Sequence, residues 1–418
     1  MTQDDDGPVA ALSRHFGADV RPGKLAVAIS GGSDSTALLL ATREWAALAG
    51  VTLVAVTVDH GLRSEAADEA AHVAALCSDL GVPHDTLRWT GWDGKGNLQD
   101  AARRARYALM TDWARAQGLE DVLLGHTADD QAETLIMRLA RQAGLDGLAG
   151  MAPRARWGDV TLHRPFLHLR RDVLRAFLRE CGIGWIDDPS NENTQFRRVR
   201  IRQALTGFEE CGLSVEGLAK VAGHLREARE TLGVYAVETA QKITRFDRGD
   251  IVFDRAEWIQ LRADMRRRLL QAALRWVSGA DYGARGRAVE DALSGLSEGC
   301  DTVLHGCRVM ATPQAVRVTR EAQAVMGAHT VPGEIWDGRW RVTGPAQPGD
   351  TVRLLGEAAL GFCPDRAESG LPAASLVASP SVWRDEVLVA APLAGLGEQW
   401  SAELLRSEHE YHDILLSH

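Results

Sequence analysis

"AVAISGGSDSTALLL", residues 26–40, runs from an apolar stretch through two adjacent glycines into a second apolar stretch with helical character. The residues before Ser30 read as a buried strand, and those from Ser33 onward as the first turns of a helix. Gly31 and Gly32 let the backbone turn sharply and approach a ligand closely. The helix start supplies unpaired N–H groups and the positive end of its dipole, and Ser30, Ser33 and Ser35 add hydroxyls. Together they form a nest for an oxyanion. The stretch is not a Walker A loop, because no lysine follows the glycines, and it lacks the third glycine of a dinucleotide fingerprint. Helix capping by Ser33 or Asp34 would explain one polar residue. It does not explain two glycines directly after a strand with three hydroxyls in six residues. Asp34, a carboxylate in the middle of an anion site, is not explained by the turn itself.

Outward from this turn the first half of the chain alternates strand and helix patterns. "KLAVAIS" (24–30), "TLVAVTVD" (52–59), "PHDTLRW" (83–89) and "DVLLGH" (121–126) read as strands, with amphipathic helical stretches between and after them. Nearly continuous apolar strands in a βαβα order predict an α/β fold, a parallel sheet with helices on both faces. Ligands of such sheets bind at the carboxyl ends of the strands. Ser30 to Ser35, Asp59 to Arg63 and His126 to Glu133 occupy those ends. From about 213 the pattern changes to long helices, followed by an expected hairpin in "DTVLHGCRVMATPQAVRVTRE" and a Gly-, Pro- and Val-rich final section. The expected organisation is a loosely ordered 1–19, a catalytic domain over 20–212, a mainly helical domain over 213–327 and a small α+β domain over 328–418.

Composition narrows the class. The 418 residues are 45% hydrophobic, with no uninterrupted apolar run of membrane-spanning length, and the start carries neither a cationic nor an apolar leader region. The expectation is a cytoplasmic protein with no membrane partner. The six cysteines contain no C-x-x-C pair, so neither a zinc ribbon nor a redox dithiol is indicated. The net charge of −10 conceals a basic segment: from Arg138 to Arg202 there are 13 arginines and 7 acidic residues. A local basic surface on an acidic chain suits one specific polyanion better than any polyanion.

The "SGGSDS" turn after a strand resembles the signature of the N-type ATP pyrophosphatases, or PP-loop enzymes. "VDHGLR" (58–63), "QDAARRARY" (99–107), "GHTADDQAETLIMRL" (125–139) and "DDPSNENTQFRRVRIR" (187–202) narrow the likeness to the tRNA(Ile)-lysidine synthetases. The likeness is strong over about 20–205 and continues more weakly to the end of the chain. It implies that ATP adenylates the C2 oxygen of the wobble cytidine in the CAU anticodon of tRNA(Ile), releasing pyrophosphate. L-lysine then displaces AMP, leaving lysidine.

The resemblance also assigns roles. Ser30, Gly31, Gly32, Ser33, Asp34 and Ser35 would hold the pyrophosphate of ATP, with Asp34 serving Mg²⁺. Arg106 and His126 would stand at the α-phosphate, making Asp34, Arg106 and His126 the catalytic set. Asp59 and His60 would lie near the base and ribose of ATP. Asp130 and Glu133 would receive lysine. Without the resemblance, Asp130 also fits a capping box with Thr127, which leaves Glu133 unexplained. Asp129 and Glu133 form a like-charged i,i+4 pair, unfavourable by roughly 0.2–0.5 kcal/mol, so a cation is expected nearby. Arg197, Arg198, Arg200 and Arg202, with Arg164, Arg170 and Arg171, would contact tRNA phosphates. A homodimer through the helical face is compatible with the sequence.

Two positions depart from the family pattern: Thr127 stands where a second histidine is common, and Val199 where asparagine is frequent. Competing readings are a PP-loop tRNA thiolase, disfavoured by the cysteine spacing, a small-metabolite ligase of the same fold, disfavoured by the basic segment, and a non-catalytic nucleotide- or RNA-binding module.

Overall fold

In the computed structural model, residues 7–17, 23–61, 66–92, 98–187, 195, 197–280 and 282–417 are described. The contacts divide the chain into two compact units, Met1–Arg229 and Glu230–His418, rather than at the boundaries 212/213 and 327/328 expected from sequence.

The first unit runs α1 (Pro8–Phe16), β1 (Lys24–Ala28), α2 (Ser33–Ala49), β2 (Thr52–Asp59), α3 (Ala66–Asp79), β3 (His84–Arg88), α4 (Leu98–Ala116), β4 (Asp121–Leu124), α5 (Ala128–Leu139), α6 (Leu145–Leu148), β5 (Arg154–Trp157), β6 (Val160–His163), α7 (Arg171–Glu180), α8 (Arg197–Glu210) and the start of α9 (Val215–Ile243). Its sheet has the order β3-β2-β1-β4-β6-β5, parallel except for the edge strand β5. β1 explains why both faces are covered. Leu25 and Val27 enter a core with residues of α1, α2, α3 and α7, while Ala26 and Ala28 enter a second core with Tyr107, Met110 and Ala114 of α4. Period-2 alternation makes one apolar strand serve two layers.

After β1 the chain builds outward through β2 and β3, then returns to lay β4 on the other side of β1. The strand order therefore reverses between β1 and β4, the place where open α/β sheets form their ligand crevice. The turn after β1 is "SGGSDS"; the turn after β4 is "GHT".

The expected loose N-terminus is corrected for residues 8–16. Pro8 stands at the first helical position, and Ala11, Leu12 and Phe16 are buried, with Phe16 stacked on Trp45 at 4.8 Å between ring centroids. Three apolar residues on one helix face are enough to dock the segment.

In the second unit, β7 (Thr244–Asp247), β8 (Asp250–Asp254), β9 (Thr302–Leu304), β10 (Cys307–Ala311) and β11 (Ala315–Arg320) form an antiparallel sheet of order β7-β8-β11-β10-β9. Helices Ala263–Ser278, Gly286–Ser297 and Glu408–Leu416 share its core through Trp276, Val289 and Tyr411. The mainly helical reading of 213–327 therefore missed β7 and β8. Their hairpin "TRFDRGDIVFD" pairs Asp247 with Asp250 around Arg248 and Gly249, both at positive φ, and only its pairing with β11 completes the strand environment. Two three-stranded sheets close the unit, β12 (Ile335–Trp336) with β13 (Trp340–Thr343) and β17 (Ser401–Leu404), and β14 (Asp350–Leu354) with β15 (Pro380–Arg384) and β16 (Val387–Ala390). Among the described residues no helix is long and apolar enough to cross a membrane.

Candidate active site

The cradle is held open by its own hydrogen bonds. Gly31 has φ +84°, and a Cβ there would come within 2.7 Å of Ile186 Cδ1; its carbonyl accepts the Ile186 N–H at 2.9 Å. Ser35 Oγ receives the Ser30 N–H at 3.1 Å, lies 3.1 Å from Ser30 Oγ and donates to Gly32 O at 3.1 Å. Ser35 thus braces the loop more than it faces a ligand. Ser33 Oγ donates to Asp34 Oδ1 at 3.1 Å, and Arg175 Nε reaches Ser33 Oγ at 3.5 Å.

A cavity of about 370 Å³ opens beside the cradle, lined by Ser30, Gly32, Asp59, His60, Arg106 and apolar residues of β1, β2 and α4. Its size and mixed lining suit a nucleotide-sized ligand. Asp59 Oδ1 accepts the Gly61 N–H at 2.8 Å, which fixes the turn after β2. Burial, then the neighbouring Arg106, keep His60 below the usual histidine range. Arg106 lines the same cavity and pairs with no carboxylate among the described residues.

The turn after β4 abuts the cradle itself. A Cβ on Gly125 would lie 3.0 Å from the Asp34 carbonyl and from Ser35 Cα, so glycine lets the two strand-end turns meet. Sequence reading passed over this residue, although a glycine directly after a strand was the available signal. His126 follows. Burial, then the fields of Arg164, Arg106 and Arg103, push its imidazole down to about 3, and its buried Nδ1 has no hydrogen-bond partner. Neutral His126 can donate or accept one hydrogen bond at physiological pH.

The sign of this shift gives a measurable consequence. A histidine held below its unfolded value of 6.5 binds fewer protons in the folded state, so its stabilising contribution is present above pH 6.5 and is lost as pH falls toward 3. Between pH 7 and pH 5 this amounts to about 2 kcal/mol. Chemical denaturation of the wild type and of H126Q at both pH values should show the variant losing less stability by that amount; equal losses would place His126 in an ordinary environment.

α5 opens with the capping box. Thr127 N–H donates to Asp130 Oδ2 at 2.9 Å and Asp130 N–H to Thr127 Oγ1 at 3.4 Å. The departure from a second histidine is thus a helix cap. Capping uses only one oxygen of Asp130. Its Oδ1 lies 3.6 Å from Arg171 and 3.7 Å from Arg198; burial raises its pKa, but the adjacent His126, these two cations and the Thr127 N–H together outweigh burial and hold the carboxyl below its ordinary range. Glu133 is fully buried, with Arg198 Nε 2.8 Å from Oε2, Arg202 Nε 2.8 Å from Oε1 and Arg171 Nη1 at 3.9 Å. The Arg202 pair is a well-aimed hydrogen bond, whereas the Arg198 Nε–H is not aimed at its oxygen. The cation anticipated from the crowded acids is therefore three guanidinium groups.

Arg171 joins the two ends. Its Nε donates to Asp34 Oδ2 at 2.9 Å while its Nη atoms face Asp130 and Glu133. Burial holds the Asp34 carboxyl above its ordinary range, against the pull of Arg171. Sequence reading placed Arg171 and Arg170 on tRNA phosphates. Arg171 instead faces the acids of the crevice, and Arg170 binds Asp129, Glu209 and Glu216. Arg197 and Arg200 are exposed. Arg63 and residues 188–194 and 196 lie outside the described residues.

A family model described as a PP-loop domain matches residues 9–208. The chain is 48% identical to the tRNA(Ile)-lysidine synthase of Ruegeria pomeroyi over 397 residues, covering 95% of both chains. It is 34% identical to that of a Bradyrhizobium species over 76% of this chain and 96% of the relative, and 41% identical to that of Bradyrhizobium diazoefficiens over 66% and 79%. These relatives favour one reading over the thiolase and small-metabolite alternatives: the chain belongs to the tRNA(Ile)-lysidine synthase family.

Proposed function

We propose that the protein uses ATP to join L-lysine to C2 of the wobble cytidine in the CAU anticodon of tRNA(Ile). One observation carries the reading. A single guanidinium, Arg171, spans Asp34 of the phosphate cradle and the acids Asp130 and Glu133, so the leaving-group end and the amine end belong to one crevice.

In the first step the C2 oxygen attacks the α-phosphorus and the bond to the β-phosphate breaks. The backbone N–H groups after Gly32 and the cationic Arg175 stabilise the departing pyrophosphate, and Arg106 stabilises charge on the α-phosphate. Neutral His126 adds a hydrogen bond without repelling Arg106. In the second step the ε-nitrogen of lysine, after losing a proton, forms a bond to C2 as the C–O bond breaks and AMP carries the oxygen away.

Asp34 is the residue that would hold Mg²⁺. Among the described residues no group of three or more potential ligands gathers to form a protein cage. Mg²⁺ commonly takes one or two carboxylates together with phosphates and water, so a single carboxylate can serve it. When bound, the ion neutralises charge on the triphosphate.

Glu133 is already occupied by Arg198 and Arg202. An entering lysine ammonium must take over those contacts, and the two partly exposed arginines are then available to tRNA phosphates. The assignment of Arg198 and Arg202 to tRNA would apply only after lysine has displaced them from Glu133.

Incubation with ATP, L-lysine and tRNA(Ile) bearing CAU should release pyrophosphate and give a nucleoside carrying lysine at the wobble position by mass analysis. Release that proceeds equally without lysine-accepting tRNA, or a product mass without lysine, would defeat the reading.

A further inference from the structure

Two neighbouring acids open α5, and they turn to different partners. Asp130 caps its own helix and faces the crevice, whereas Asp129 turns to α7. Its Oδ2 accepts the backbone N–H of Arg171 at 2.8 Å, and its Oδ1 lies 3.6 Å from Arg170 Nε. Beside it the Ala128 N–H donates to the Leu169 carbonyl at 2.9 Å. The start of α5 is thereby stitched to the start of α7. In the sequence Asp129 is one half of an unfavourable i,i+4 pair with Glu133; α7 gives it partners of its own.

The start of α7 depends on that stitch. Arg171 is the first residue of the helix, so its N–H has no partner within it, and Arg170 at the N-cap supplies no side-chain acceptor. A carboxylate from another helix fills the place, and its charge suits the positive end of the helix dipole. Such a cap fixes the backbone of the residue it holds. Here that residue carries the guanidinium that spans the crevice, with Nε on Asp34 at 2.9 Å and its Nη atoms 3.6 Å from Asp130 and 3.9 Å from Glu133. An arginine side chain is long and flexible, so it meets carboxylates in three directions only while its Cα stays in place.

Arg170 carries the network away from the crevice, to Glu209 at the end of α8 and Glu216 at the start of α9. Asp129 itself does not line the nucleotide cavity. Its route to the chemistry is through Arg171.

We propose that Asp129 is a positioning residue for the ligation: by holding the first peptide of α7 it aims the Arg171 guanidinium at Asp34, Asp130 and Glu133 together. The inference rests on the proposed function, in which Arg171 joins the leaving-group end and the amine end of one crevice.

The test is a double-mutant cycle on the full-length protein, with D129A, R171Q and the double variant assayed on ATP, L-lysine and tRNA(Ile) bearing CAU. D129A should lower kcat for pyrophosphate release about 10²-fold, the scale of a reacting group displaced by ~1 Å. It should also raise the KM for lysine and leave the KM for ATP unchanged. In the R171Q background the same substitution should add little, because the group it aims is gone. D129N keeps an oxygen that can accept the Arg171 N–H and should restore most of the rate. R170Q leaves that bond in place and should keep the rate. Losses that multiply in the double variant would overturn the proposal, as would D129N no faster than D129A, or R170Q as slow as D129A. If thermal melting shows that D129A does not fold, D129E takes its place in the cycle: it keeps the charge beside Arg170 but displaces the oxygen, and wild-type kcat in D129E would overturn the proposal. A wild type that releases pyrophosphate without forming a lysine adduct would refute the ligation reading alone, since the cycle is read on pyrophosphate.

Discussion

Replacing Asp34 by asparagine is expected to abolish pyrophosphate release, with a loss of roughly 10³-fold or more, the scale on which preorganised charge acts in such sites. The substitution keeps the side chain's shape and can still pair with Ser33 Oγ, but it removes the charge that would serve Mg²⁺ and that binds Arg171 Nε at 2.9 Å. Its buried carboxyl is held above the ordinary range by desolvation, so neutralising it does not strip the fold of a favourable buried charge. Tm should accordingly change little. Single-turnover pyrophosphate release with saturating ATP, read beside thermal melting, checks both parts. A mild rate loss with Mg²⁺ dependence intact would remove Asp34 from the metal role.

Glu133→Gln is expected to act differently. Glu133 is fully buried against Arg171, Arg198 and Arg202. Removing one partner of a buried ion cluster costs about 3–5 kcal/mol because the remaining charges stay uncompensated. A large fall in Tm is therefore expected, together with a rise in the KM for lysine much greater than any change in the affinity for ATP. Glu133 does not line the cavity beside the cradle that is proposed to take ATP. Equal losses for lysine and ATP would mean that Glu133 only holds the fold. Raising the salt concentration separates the two effects further: it leaves the buried pairs largely unscreened but weakens tRNA phosphate contacts.

The two turns that make the site were legible because each combines short-range signals. "SGGSDS" joins a strand, two glycines and a helix start, and "GHTADDQAET" joins a strand end to a capping box and acids one turn apart. Their juxtaposition followed from the βαβα rhythm, since parallel strands bring their carboxyl ends to one edge. The identity of the counter-charges was less accessible. Arg171 lies 137 residues from Asp34 and Arg202 lies 69 from Glu133, and a run of arginines reads the same whether it faces solvent, RNA or buried acids. Arg170 illustrates the ambiguity: one residue before Arg171, it turns to Asp129, Glu209 and Glu216 instead.

By itself the sequence determined the parallel sheet of the first unit, the phosphate turn, the capped acidic helix and the family, because each depends on neighbours within a few residues or on a repeated alternation of apolar positions. Only the tertiary structure decided which arginines neutralise Asp34, Asp130 and Glu133, that Gly125 lets the two turns touch and that α1 docks on the core. Charge pairing and desolvation are set by groups far apart in the chain, and they exist only once the sheet has brought those groups together.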